Sequence, residues 1–541
     1  MHDLGHTYGL ESLRPFPSSR PPRPVIMNVI ESSDAPSRSG MVTLLGCLFI
    51  GIAFVLQIYR QKPLKPTPPG PPGEPILGNA RQIPEFFPWY YFTDLAKSYG
   101  DVIYLTAMGQ GILVINSSQA MSEILTKNSS IFSGRPHLPM LGDLVGWNQT
   151  VTMGVPGKRW QSQRKLLHQF LGAPSIPAYH HMMEELVQEF VRTVAPTSQG
   201  FNDEFIFTMA KLTLRMAYGI KIESREDPLA IMAEEAALNF EDGVEFGRYK
   251  VDLFPVLRLL PSWFPLAEFH RIAARWRPQL QMAINTPFDR VKKDMAEGKA
   301  EPSFTAKCLE SLPAGTDDDY IKWTSGAFYV AASRTTMTTI STFLHTMIQH
   351  PEVQAKAQAE IDRVTGGDRL PTFADRPNMP YLDCIFKEVM RWHPATPMGV
   401  PHATTEEVQY RGWSIPKGTI VYNNGWALSQ DPVTYPAPEK FDPERFERNS
   451  TTKDPREYAF GFGRRACPGQ AFADATVWIT MTTLLALVDM RNCLDEAGNI
   501  IPLKENFNGT VLHNLPPFPY TLEPRSSFAK GWLETGNEKG P

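Results

Sequence analysis

A chain of 541 residues, 42% hydrophobic and 20% charged, can bury a large core, and its formal net charge of -4 argues against nucleic acid as a partner. Five cysteines (Cys47, Cys308, Cys384, Cys467 and Cys493), odd in number and with no CxxC pair, argue against a disulfide framework and a zinc site. They fit a catalytic domain in a reducing compartment.

The first 40 residues are rich in Ser, Pro and Arg and aperiodic, the composition of a disordered extension. Met41 to Ile58 follows as an unbroken apolar run whose only strongly polar member is Gln57. As a helix it is roughly 27 Å long, enough to cross the hydrocarbon layer. Arg60, Lys62 and Lys65 come at once after it, so the positive-inside rule places the C-terminal bulk in the cytosol. Basic residues after the run, and no small-residue cleavage site, disfavour a cleaved signal peptide. Residues 59–75 are dense in proline and read as a stiff linker that cannot continue a helix.

Residues 76–524 read as one mainly helical domain with small β-sheets, followed by a tail over 525–541. Val102 to Thr106 and Ile112 to Ile115 are expected to pair around a turn at Gly109. Trp160 and Arg164 are one helical turn apart, so an indole N–H and a guanidinium share a face, two donors suited to a carboxylate. Helical spacing marks Met182 to Val194, Ile340 to Val364 with an interruption at His350-Pro351, and Met379 to Trp392. A long helix from about Asp319 to Gln349 begins after three aspartates that suit its positive end.

Glu388 and Arg391, three apart among apolar neighbours, predict a buried ion pair that needs a third partner. Arg411 to Val421 reads as a hairpin, and Phe441-Asp-Pro-Glu-Arg445-Phe446 offers the third partner. Finally, Phe460 to Gly469 presents Cys467 in a glycine-rich turn just before an apolar, helix-prone run. A helix N-terminus supplies the positive potential and donor N–H groups that a thiolate wants. Such a thiolate can ligate haem iron.

The run Phe460, Gly463, Arg465, Cys467, Gly469 fills every defined position of F-x-x-G-x-R-x-C-x-G and resembles the haem-binding signature of the cytochrome P-450 superfamily. The apolar run and proline-rich hinge resemble its microsomal members, and the overall style, with Pro401-His-Ala-Thr-Thr-Glu-Glu407, looks fungal. The resemblance implies the P-450 fold and haem b with Cys467 as axial ligand. It further implies that Trp160, Arg164, Arg135, His402 and Arg465 neutralise the propionates. Glu388, Arg391 and Arg445 would form the triad that locks the cysteine loop. Ala331 to Thr336 aligns with the oxygen-activating segment, where Thr335 and Thr336 match as catalytic residues. Ala332 stands in place of a glycine, and Arg334 in place of the usual acid. Arginine does not titrate, so protons are expected to come through Thr335 and water, with Arg334 turned away toward an acid on a neighbouring helix.

The resemblance implies a monooxygenase using O2, with electrons from NADPH-cytochrome P-450 reductase and cytochrome b5 as a second donor. The expected location is the endoplasmic reticulum membrane, single-pass, with the catalytic domain cytosolic. Pocket walls are expected from Phe132 to Gly154, the helix around Phe328 and Thr336, Thr396 to Val400, and Gly509 to Leu512. Their apolar content calls for a bulky hydrophobic substrate. The segment Asp252 to Pro265 is expected to rest on the bilayer. Terpenoid or polyketide tailoring and xenobiotic oxidation are the functional settings. Two alternatives share the motifs: a haem-thiolate isomerase, dehydratase or peroxide-dependent enzyme, and a non-enzymatic haem or lipid carrier. The N-terminal extension departs from the family pattern, with Met27 and Met41 as alternative starts.

Overall fold

The computed structural model describes residues 65–313, 317–449 and 451–535. The apolar run 41–58 and the extension before it lie outside these residues. Among the described residues no helix is long and apolar enough to cross a membrane.

Ten helices of twelve or more residues carry the described fold: α1 Pro88–Tyr99, α2 Lys158–Leu171, α3 His180–Val194, α4 Phe201–Tyr218, α5 Pro228–Val244, α6 Glu268–Ala296, α7 Asp319–Gln349, α8 Pro351–Thr365, α9 Pro380–Trp392 and α10 Gln470–Leu487. Expected helices thus form where their spacing placed them. Pro351 fits the first turn of α8, where its missing N–H costs nothing, and this divides α7 from α8. α7 is apolar almost all round because α2, α4, α5, α6, α9 and α10 pack on it.

The strands are short. β1 Val102–Ala107 and β2 Gln110–Ile115 pair antiparallel, β2 runs parallel to β6 Ile420–Asn423, and β3 His402–Ala403 closes the sheet in the order β1-β2-β6-β3. Val102, Tyr104, Leu113 and Ile115 face one apolar layer, and Ile103, Leu105, Ile112 and Val114 face another that contains Trp89 and Phe92 of α1. Both faces are covered, so the strands read as apolar runs rather than as alternation. Between Arg411 and Val421 the structure differs from the expected hairpin. β4 Val408–Tyr410 pairs with β5 Trp413–Ile415, across Arg411 (φ 48°) and Gly412 (φ 85°). Two positive φ values make a primed turn, whose twist suits a hairpin. Pro416 follows β5, and the chain then leaves for the larger sheet as β6. β7 Val488–Arg491 and β8 Thr521–Pro524 form the last pair.

The described part of the proline-rich segment lies on this body. The carbonyl of Pro66 accepts from Ser414 N–H (2.8 Å) and that of Pro69 from Tyr104 N–H (2.9 Å). Beyond β8, Ser527–Thr535 is helical, with Ala529 and Leu533 buried and the Arg192 guanidinium 3.7 Å from the Trp532 ring centre. The segment expected to rest on a bilayer divides in two. Leu259 and Trp263 are 72% and 71% exposed, whereas Asp252 is buried and accepts the Met140 N–H at 2.9 Å.

Burial raises the Asp252 carboxyl to about 7, against the pull of the Met140 N–H and with help from Asp143. The folded state therefore keeps a proton that the unfolded state loses from its ordinary value of 3.8 upward. This group's contribution to stability is fully present below that value and is lost as pH rises to about 7. Asp252→Asn keeps an acceptor for Met140 and removes the titration. Its stability relative to the parent should rise with pH across this window and level off above it. The gain is at most about 4 kcal/mol, at roughly 1.4 kcal/mol per pKa unit, read as unfolding free energy against pH. Parallel curves for the two proteins would contradict this.

Candidate active site

Cys467 lies in the turn leading into α10. Its N–H donates to the Phe460 carbonyl at 2.7 Å, and its sulfur accepts the Gly469 N–H. Gly463 has φ +54°, and a Cβ there would fall 2.2 Å from the Leu125 carbonyl oxygen, so glycine lets this loop lie directly on Ser122–Lys127. The Cys467 side chain is exposed, yet dense protein surrounds it. That burial pushes the thiol up, while the Gly469 amide and the Arg164 charge pull it down.

Around this turn the structure gathers Arg135, Trp160, Arg164, His402 and Arg465. Arg164 donates to the Ala466 carbonyl (2.8 Å), beside the cysteine. Arg465 donates to the carbonyls of Ser133 (2.8 Å), Val151 (2.9 Å) and Gly154 (2.6 Å), and its guanidinium lies 4.6 Å from the Trp160 ring centre. The Trp160 indole donates to the same Val151 carbonyl at 3.1 Å. Arg135 donates to the carbonyls of Thr152, Val400 and Pro401, each at 2.8 Å. His402 Nδ1 donates to the Phe132 carbonyl at 2.8 Å, an assignment its carbonyl partner requires.

No carboxylate among the described residues pairs with Arg135, Arg164 or Arg465, whose recorded acceptors are all carbonyls. Burial, and then mutual repulsion, lowers Arg135 well below the ordinary arginine value and Arg465 to about 10. Burial and the same two arginines push His402 down to about 3. A set of cations that depress one another calls for a bound anion. Two carboxylates on a flat apolar ligand satisfy that demand, so the donor set fits haem with its propionates.

On α7, Ala331 and Thr335 are exposed, four residues apart on one face of an otherwise mostly buried helix. The two threonines differ. The Thr336 hydroxyl is buried and donates to the Ala332 carbonyl (2.8 Å), whereas the Thr335 side chain is the accessible one. Arg334 is turned to α5, pairing with Glu234 at 2.7 Å and with Glu241. The sequence reading anticipated an acid there without naming it. Glu234 and Glu241 stand seven apart, two turns on one face of α5, and that spacing is the signal that marks them.

Glu388, Arg391 and Arg445 meet as expected. Arg391 reaches both Glu388 oxygens at 2.7 Å, and Arg445 Nε donates to Oε1 at 3.0 Å. A second charged network surrounds the cysteine turn. Arg456 binds Asp454 (2.6 Å), Asp474 (2.9 Å) and Asp383 (3.3 Å), and Arg376 binds Asp383 (3.0 Å) and Asp474. Sequence reasoning missed it because its members are scattered over a hundred residues of chain.

Pocket walls are partly as expected. A cavity of about 460 Å³ is lined by Met398, Thr510 and Val511, but also by α1, β1, β2 and residues 244–248. It reaches Pro401, next to His402, and its lining includes neither Cys467 nor Thr335. Leu138, Met140, Leu141 and Val145 are wholly buried core instead. Phe328 is core too, with its ring 5.3 Å from Phe170 of α2 and 5.2 Å from Phe472 of α10, both edge-on.

A family model described as Cytochrome P450 matches residues 68–516. The chain belongs to the cytochrome P450 family. Cytochrome P450 monooxygenase claR of Ampulloclitocybe clavipes is 38% identical over 84% of this chain and 86% of its own. Cytochrome P450 monooxygenase COX2 of Coprinopsis cinerea is 36% identical over 92% and 97%, and Cytochrome P450 monooxygenase 208 of Postia placenta is 37% identical over 89% and 95%. With these relatives, the protein is a P450 monooxygenase. Membership in the P450 family implies haem held by a cysteine thiolate, O2, a small-molecule substrate and a redox partner.

Arg334 departs from the P450 pattern at a position the ion pairs now explain. Arg334→Asp sets a third carboxylate against Glu234 and Glu241. It should cost up to roughly 3–5 kcal/mol in denaturant unfolding, the range for breaking a buried pair. Arg334→Lys, which keeps one pairing, should lose less. Equal stability of all three proteins would refute this role.

Proposed function

We propose that this P450 is a membrane-anchored haem-thiolate monooxygenase that oxidises a hydrophobic small molecule. The observation that carries it is the convergence on one turn of Cys467, with an N–H on its sulfur, and three arginines without an acid, Arg465 buried and Arg135 and Arg164 half-buried. Cys467 would hold the haem iron through its thiolate. Arg135, Trp160, Arg164, His402 and Arg465 would hold the propionates, and Phe460, Gly463 and Gly469 would shape the loop. When bound, haem supplies activation of O2, which the thiolate's electron donation assists.

The chain's own residues do the rest. Thr335 offers the accessible hydroxyl on α7 and hands a proton from ordered water, while Thr336 keeps its hydroxyl on the Ala332 carbonyl and holds the helix. Arg334, fastened to Glu234 and Glu241, takes no part in that transfer. Glu388, Arg391 and Arg445 keep the segment before the cysteine loop in place. Met41 to Ile58 anchors the enzyme in the endoplasmic reticulum membrane with the catalytic domain cytosolic. Exposed Leu259 and Trp263 support a second contact with the bilayer. Electrons come from NADPH-cytochrome P-450 reductase, with cytochrome b5 as an auxiliary donor. Secondary metabolism is the proposed setting, with xenobiotic oxidation as the other, and the fungal relatives are themselves P450 monooxygenases. The arginine in place of the acid favours, as a second reading, a haem-thiolate isomerase, dehydratase or peroxide-dependent reaction. NADPH consumption coupled to product separates the two.

Cys467→Ala should lose the ferrous–CO band diagnostic of thiolate ligation, and a retained band would refute the ligand assignment. Thr335→Val should lower coupling of NADPH to product by about tenfold, less than the roughly hundredfold of a sole general acid because ordered water still supplies protons. Thr336→Val should instead leave coupling near the parent and affect mainly stability. The reverse pattern would reassign the proton donor.

A further inference from the structure

The cavity beside Pro401 is walled largely by apolar side chains, among them Phe92, Ile112 and Met398; of the charged groups at it, Arg248 pairs with Glu85 (3.5 Å) and with Asp242 (3.2 Å), which leaves Glu245 and Tyr422. Glu245, at the C-terminal end of α5, has its carboxyl half-buried and accepting from the Thr510 side chain. Tyr422, on β6, lies deep in the wall, and among the described residues no hydrogen bond of its hydroxyl is recorded. Burial raises the carboxyl and, with the Glu245 charge, the phenol, so both titrations register that the two groups share one poorly solvated space. A phenol that lines an apolar cavity with no partner in the protein offers its O–H to a ligand that can accept from it.

We propose that Glu245 and Tyr422 bind a hydroxyl group already present on an otherwise apolar substrate. The inference rests on the monooxygenase reading and names its substrate class. A hydroxyl alone uses both groups: it donates to the carboxyl and accepts from the phenol. A carbonyl uses only Tyr422, a hydrocarbon uses neither, and a carboxylate meets Glu245 and Glu85 at the same cavity, where Arg248 is already paired with Glu85 and Asp242. The substrate therefore arrives oxygenated, from a reaction class that leaves an alcohol, such as hydration, reduction or an earlier hydroxylation.

The test uses one fifteen-carbon chain with four ends: farnesene, farnesol, farnesal and farnesoate, each titrated by equilibrium dialysis against the haem-loaded protein. Farnesol should bind about tenfold tighter than farnesene, as two modest hydrogen bonds predict, with farnesal between them and farnesoate weakest. Tyr422→Phe should bring farnesal down to farnesene. Glu245→Leu should bring farnesol down to farnesal and relieve the farnesoate penalty. Both variants should keep the parent's ferrous–CO band, which shows that the fold persists. Four ligands within twofold of one another, no binding by any of them, or an order unmoved by both variants overturns the proposal. Absence of the CO band in the parent would overturn the monooxygenase reading instead, since dialysis reads binding independently of the haem.

Discussion

Glu388 has no exposed surface, and both of its oxygens are filled by donors from three places: the Arg391 guanidinium, Arg445 Nε and the backbone N–H of Asp442 at 2.8 Å. One carboxylate cannot balance two buried guanidiniums. The remaining donors of Arg391 end on the carbonyls of Ser429, Pro438 and Lys440, and those of Arg445 on Pro436, Ala437 and Lys440. A segment without regular structure is thereby given the partners that helix or sheet would have supplied. This matters more for geometry than for net stability, because buried ion pairs roughly break even against desolvation. The same α9 carries Asp383, which reaches Arg456 before the cysteine turn and, through Arg376, Asp474 after it. The turn is thus bracketed by charge on both sides.

Two populations of buried and half-buried arginine then divide the protein by function. Arg391, Arg445 and Arg334 each face a carboxylate of the chain. Arg135, Arg164 and Arg465 face only carbonyls and one another. Carbonyl dipoles orient a guanidinium but do not neutralise it, so the second group stores an electrostatic demand that an anionic ligand meets. His402 belongs with this group. Its Nδ1–H is spent on the Phe132 carbonyl, which leaves Nε2 a lone pair while the ring is neutral. It can donate to a propionate only when that propionate's charge has raised its pKa from about 3. Neutral histidine and bound carboxylate are therefore coupled, whereas the arginines donate regardless.

What was legible in the sequence is what local rules govern. Helix spacing gave α3, α7, α8 and α9 nearly to the residue, because apolar periodicity and Pro351 both act within a few positions. The cysteine turn, the Glu388 pair and the arginine that joins it were readable because each sits inside a short pattern. The partners of Arg334 were not, since nothing local ties Arg334 to Glu234 a hundred residues away. The same limit explains the cavity. Apolar content marks a residue as inward-facing but cannot say whether it lines a space or packs. Leu138 and Phe328 proved to pack, and the polar pair at the cavity came from an α5 terminus and a strand that no motif joins.

The wall of that cavity shows how the parts depend on one another. Thr510 and Val511 belong to a stretch fastened at both ends by residues of other elements. Phe507 stacks on His393 at 3.9 Å just past α9, and His513 packs edge-on against Trp89 of α1 at 5.1 Å while its N–H donates to the Ala395 carbonyl. Asn514 accepts from Thr338, one turn along α7 from Thr335. Burial holds His513 at about 3 and His393 well below the ordinary histidine value, so both stay neutral in the fold. As pH falls below 6.5 the unfolded chain gains protons that these rings refuse, and the clasp weakens. Asp252 has the opposite slope, losing its contribution as pH rises toward 7. The neutral histidines and Asp252 therefore pull stability in opposite directions with pH: the histidine contribution is complete above 6.5, whereas that of Asp252 is already largely lost by about 7.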